Sequence, residues 1–142
     1  MTHARLRALE AACLLMVAAV LRRAVPMHRW APWLLGGARA AEGPAAADAP
    51  VTIADERVRR AVHSAARRLP VALTCLDEAV AGAVMLRRRG YDPAVVVGMP
   101  ARRRGESHAW LLGACGAVVL GGDVRRHYAP VTVFSRSGQR RG

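Results

Sequence analysis

The chain contains no lysine and no asparagine, one isoleucine (Ile53), one glutamine (Gln139) and one phenylalanine (Phe134). These shortages exclude particular chemistries. Without asparagine there is no Cys–His–Asn site, so a cysteine nucleophile here needs an aspartate to orient its histidine. Gln139 lies in the C-terminal tail, so a papain-type upstream glutamine is missing. Aromatic residues make up 4% of the chain, which argues against base-stacking platforms for nucleic acid. Three cysteines (Cys13, Cys75 and Cys115) are too few, and odd in number, for a disulfide framework, and they are expected to be reduced. There is no CxxC, HExxH, GxGxxG or Walker-type loop, so neither a metal nor a nucleotide cofactor is expected. The apolar run from Ala11 to Leu21 is about half the ~20 residues a membrane span needs.

What remains is one domain's worth of chain. At 142 residues and 53% hydrophobic, it can bury a single core and is too apolar to be disordered. All of its 22 basic residues are arginine, against 10 acidic residues, giving a formal net charge of +12. The scarce residue types use AT-rich codons, so part of the arginine excess reads as the bias of a GC-rich genome. The charge still favours an acidic partner, whether nucleic acid, an anionic membrane or an acidic peptide. The N-terminal apolar run is followed by Arg22 and Arg23 rather than a small-x-small cleavage site. It reads as a helix facing the core or a partner, ahead of peripheral membrane contact and, last, a signal segment, and the chain is expected in the cytoplasm.

Helix signals come first and strand signals after. Residues 1–50 read as a helical arm and linker, 51–135 as the core, and 136–142 as a basic tail. In the arm, Pro26 and Pro32 are expected to interrupt the helix and Trp30 and Trp33 to pack. Residues 37–50, mostly Gly, Ala and Pro, read as linker. A second helix is expected over Asp55 to Arg68, with Thr52 and Asp55 at capping-box spacing and an apolar stripe of Val58, Ala61, Val62, Ala65 and Leu69. Pro70 ends it. A third runs from Cys75 to Arg89. Thr74 is its N-cap, Asp77 and Glu78 suit the positive end of its dipole, and Gly90 stops it.

Strands are expected at Ala94–Val97, Ala109–Leu112, Ala117–Leu120 and Val131–Phe134. The middle two flank a hairpin turn, Gly113-Ala114-Cys115-Gly116. The arginine-rich stretch Met99–Glu106 reads as a loop. The fold class is therefore α+β with an antiparallel sheet.

Cys75 is the position with most chemical meaning. At the first turn of a helix, unpaired N–H groups and the helix dipole favour thiolate over thiol, which makes a nucleophile of a residue that is otherwise a small apolar filler. Its own backbone N–H is the natural oxyanion donor. Cys13 and Cys115 read as incidental. Of five histidines, His3 and His28 lie in the arm, His63 sits among arginines, and His127 follows Arg125 and Arg126. His108 differs, opening an apolar strand as Ser107-His108-Ala109-Trp110. If the hairpin turns around Ala114 and Cys115, Leu112 faces Ala117 and Gly121 falls opposite His108. Asp123 is then its diagonal neighbour on the same face, at ~7–8 Å between Cα atoms. Asp92 reads as a turn residue.

Read together, Thr74-Cys75-Leu76-Asp77-Glu78-Ala79, Arg87-Arg88-Arg89-Gly90-Tyr91, Val95-Val96-Val97-Gly98 and Ser107-His108-Ala109-Trp110 resemble the lasso-peptide maturation B proteins. These are leader peptidases with a transglutaminase-like core. The resemblance covers roughly Val58 to Phe134. It implies a cysteine peptidase that cuts the leader from a ribosomally made precursor peptide, with Cys75 as nucleophile, His108 as base and Asp123 as the looser third match. Family members often place that acid slightly closer to the histidine, where this chain has Val119, Leu120 and Gly121. The resemblance also implies a separate leader-binding recognition protein, since the first 50 residues lack the strand pattern of a fused one. A separate ATP-dependent cyclase would then join the freed amine to an acidic side chain.

Three other classes compete. Another acyl-transfer enzyme, an amidase or a transglutaminase, would keep these residues and change the acceptor. A non-enzymatic basic scaffold would dock precursor and partners, and arginine runs that are solvated surface support it. A nucleic-acid module has no motif behind it.

Overall fold

The computed structural model describes residues 2–42, 46–100, 105–122 and 128–136. Its elements run α1 (His3–Ala24), α2 (Met27–Leu35), β1 (Gly37–Ala40), α3 (Ile53–Arg68), α4 (Cys75–Arg88), β2 (Ala94–Pro100), β3 (His108–Leu112), β4 (Val118–Leu120) and β5 (Tyr128–Ser135). This is the expected α+β class.

The helix starts follow local chemistry. Thr52 and Thr74 each accept from the backbone N–H three residues on, and Asp55 and Asp77 each accept in return from the cap's own N–H. Each reciprocal pair satisfies two backbone donors that a helix start leaves open. The stripe Val58, Ala61, Val62 and Ala65 is buried as its spacing predicts. On α4 burial extends around Ala79, Val80, Ala81, Gly82, Ala83, Met85 and Leu86, because this helix has α1 and α3 on one side and the sheet on the other.

The sheet has five strands in the order β1-β5-β2-β3-β4, each neighbouring pair antiparallel. Alternation sorts its side chains. Val95, Leu111 and Phe134 face the helices and join Leu15 of α1, Val58 and Val62 of α3, and Met85 and Leu86 of α4 in the main core. Val96, Trp110 and Val133 form a second, smaller cluster. Helix and sheet meet closely at Gly82, where a Cβ would stand 2.6 Å from Leu111 Cδ2 and 2.7 Å from Leu120 Cδ1. The segment read as an arm supplies Ala11, Leu15, Ala18, Trp30, Ala31 and Leu35 to the main core. Arg87 ties α2 down by donating to the carbonyls of Leu34 and Leu35 at the C-terminal end of that helix.

Four expectations are corrected. Part of the expected linker is β1, an edge strand pairing Gly37 with Ser135 and Ala40 with Thr132. Pro32 does not stop α2, which continues to Leu35, because burial of Trp30, Ala31 and Leu35 outweighs the hydrogen bond that proline cannot make. Trp33 does not pack and is 82% exposed. In the hairpin, Leu112 pairs with Val118 rather than Ala117, and an irregularity before it pairs Leu111 with Leu120. The loop residues 101–104 and the tail residues 137–142 lie outside the described residues. Among the described residues, no helix is long and apolar enough to cross a membrane.

Candidate active site

Cys75 is the first residue of α4, and three groups fix that helix start. Asp77, its side chain 1% exposed, accepts from the Thr74 N–H at 2.9 Å and from Arg22 Nε and Nη2 at 2.9 and 3.1 Å. Arg22 reaches in from the end of α1, so the N-terminal helix anchors the turn that carries the cysteine. Replacing Arg22 with methionine leaves Asp77 buried with only its cap bonds. We expect unfolding free energy to fall by about 1–2 kcal/mol in urea titrations. The backbone N–H groups of Cys75 and Leu76 have no hydrogen-bond partner among the described residues, and such groups can receive an oxyanion.

The sulfur is half-buried and accepts from the Ala109 N–H at 3.4 Å, which lays it against β3 beside His108. Both side chains line one cleft of about 520 Å³. Met27, Leu76 and Val97 supply apolar wall, and Glu106 and Ser107 belong to its polar lining. A volume of that order accommodates several side chains of a peptide.

His108 is held from two directions. Its ring stacks on Tyr128 with centroids 4.7 Å apart and lies 6.1 Å from Trp110. Its Nε2 lies 2.8 Å from the Gly121 carbonyl oxygen. A carbonyl only accepts, so Nε2 carries the proton, and in the neutral ring Nδ1 is left with the lone pair a general base needs. No hydrogen bond joins the imidazole directly to Cys75 Sγ; the sulfur's bond goes to the neighbouring backbone. Thiol–imidazole pairs are often loose without substrate.

Asp123, expected to orient His108, lies outside the described residues, as does His127. Gly121 comes to His108 as the hairpin reading supposed, but through its carbonyl rather than a ladder pairing. Cys13 and Cys115 are exposed and away from the cleft. His28 and His63 are exposed, and Asp92 is an exposed residue before Pro93. Sequence reasoning missed Met27, Tyr128, Arg22 and the Gly121 carbonyl, all contributed by distant elements. Among the described residues, no group of three or more His, Cys, Asp and Glu is placed to hold a metal.

A thiol at a helix start with open N–H donors, sharing a cleft with a tethered imidazole, is equipped for acyl transfer. The model of the transglutaminase-like superfamily matches residues 13–133. The chain belongs to the transglutaminase-like superfamily. That match takes in α1 from Cys13 onward as well as the helix and strands of the site. Cysteine-peptidase and acyl-transfer chemistry is what this superfamily suggests. No curated protein and no solved structure matches the chain.

Glu78 lies one helical turn on from Cys75 in this transglutaminase-like core. Burial pushes its carboxyl above the usual carboxylate range; His63 on α3 opposes that and the charge of Asp77 adds to it. A carboxyl raised on folding binds its proton more tightly in the native state. Stability therefore falls as pH rises from the unfolded value through the folded one, and the penalty is full above the folded value. Glu78→Gln is expected to raise Tm at pH 7 by about 2 °C or less, and to leave it unchanged at low pH, where the carboxyl is protonated in both states.

Proposed function

We propose that this chain is a cysteine peptidase that removes the leader from a lasso precursor peptide before ring closure. The observation that carries the reading is the single cleft lined by both Cys75 and His108, with the His108 Nε2 proton committed to Gly121. In the proposed cycle His108 Nδ1 takes the thiol proton as Sγ attacks the scissile carbonyl. The oxyanion is received by the Cys75 and Leu76 N–H groups. The proton passes to the leaving amine of the core peptide, and a water deprotonated by His108 then releases the leader from the thioester. A separate leader-binding protein would present the precursor, and an ATP-dependent cyclase would consume the freed amine.

Two observations favour a second reading, a basic scaffold without catalysis. Cys75 Sγ is bonded to a backbone N–H, and the imidazole packs with Tyr128 and Trp110. The test is mass spectrometry of a cognate precursor incubated with this chain and its leader-binding protein, wild type against Cys75→Ala. One leader cut, lost in the variant, is expected. A cut that survives Cys75→Ala removes Cys75 as nucleophile, and no cut with the full partner set moves the scaffold to the front. An added amine that is incorporated at the cut would make the enzyme a transferase rather than a hydrolase.

A further inference from the structure

A second hollow, of about 410 Å³, lies near the far end of α4 from Cys75. Leu6, Arg7 and Glu10 of α1, Arg57 of α3, and Arg89 and Tyr91 just beyond α4 line it. Its lining holds three arginines and one carboxylate, and that carboxylate is already engaged. Glu10 accepts from Arg88 Nη1 at 2.8 Å and from Arg89 Nη2 at 2.7 Å. The Arg89 hydrogen bond, chiefly, holds its carboxyl below the usual range, against a smaller effect of burial. Arg7 and Arg57 have no hydrogen-bond or ion-pair partner among the described residues. Two uncompensated guanidinium groups bordering one concavity leave a positive potential there, and the first turns of α1 and α3 add the positive ends of their helix dipoles.

We propose that this hollow is an exosite for an acidic stretch of the peptide substrate, holding Asp or Glu side chains on Arg7 and Arg57. The inference rests on the peptidase reading for its choice of a peptide. Planar guanidinium forks match carboxylates, and Glu10 between Arg88 and Arg89 is the same recognition made within the chain. Leu6 and Tyr91 offer apolar contact for the stems of such side chains, which a lone inorganic anion would not use. The 14 residues of α4 between this end and Cys75 span about 20 Å at 1.5 Å each. An extended peptide covers that in about six residues. The acidic stretch therefore sits at least about six residues from the bond that is cut.

The test needs no catalysis. A fluorescent hexaglutamate peptide is titrated by anisotropy, at fixed ionic strength, with the wild-type chain, R7Q/R57Q and the control pair R29Q/R39Q. The pocket pair is expected to weaken Kd at least tenfold and the control pair less than twofold. R57Q alone, at an exposed position, is expected to keep the fold and to weaken Kd at least threefold. Equal losses in both pairs, or none in R7Q/R57Q and R57Q, overturn the exosite. Displacement of hexaglutamate by micromolar inorganic phosphate makes the ligand a phosphate and overturns the peptide assignment. Hexaglutamate binding that persists in Cys75→Ala, whether or not the precursor is cut, keeps this result separate from the fate of the peptidase reading.

Discussion

On the proposed peptidase reading, leader cleavage by the His108→Ala variant is expected to run about a thousandfold slower than by the wild type, the size typical of removing a general base. The fold should survive, since the main loss is the stack of the half-buried ring on Tyr128, worth about 1 kcal/mol. Near-native far-ultraviolet circular dichroism with lost turnover would place the effect in the chemistry. Alkylation of Cys75 by iodoacetamide should slow in the same variant, because the imidazole no longer takes the thiol proton; an unchanged alkylation rate would mean that the ring never reaches the sulfur. Asp123→Asn is the companion measurement. The Gly121 carbonyl already accepts the Nε2 proton, so this change is expected to cost less than about tenfold. A loss as large as that of His108→Ala would return the orienting role to Asp123.

Contrasts of this kind follow from what is local in the chain and what is not. The caps at Thr52 and Thr74, the buried stripe of α3 and the position of Cys75 at a helix start were legible because each depends on residues three or four apart. The strand that opens with His108 was legible from the run Ala109–Leu112 and the glycines after it. β1 was not, because a four-residue strand at the sheet edge is defined by its partner β5, from the other end of the chain. The Arg22–Asp77 pair joins residues 55 apart, and nothing near Arg22 marks it as an anchor for the cysteine helix. The hairpin register is already one residue off at the turn, where Leu112 pairs with Val118, and the irregularity between Leu111 and Leu112 adds a second that turn chemistry alone does not announce. Position 121 was thus reached by an inexact route, and the group that meets His108 there is a main-chain oxygen, which no residue type encodes.

Gly121→Ala is expected to be the most damaging single methyl in the site. Gly121 has φ +112°, a region in which L-residues with a side chain are strained. A Cβ there would lie 2.4 Å from Trp110 Cβ and 2.9 Å from Trp110 Cα, and the second of these is backbone that cannot rotate away. Trp110 itself is fully buried, in one cluster with Val96 and Val133, and close packing of an interior gives such a ring little room to retreat. Strain and overpacking together put the cost on the order of 3 kcal/mol, a fall in Tm of about 10 °C for a chain of this size. Moving the chain at 121 also moves the carbonyl that holds His108. Below its lowered Tm the folded variant should therefore still cut the precursor more slowly than the wild type, by a factor that stabilising osmolytes do not restore. Full recovery of activity in osmolyte would show that Gly121 serves the packing of Trp110 alone and that the tether on the imidazole is dispensable.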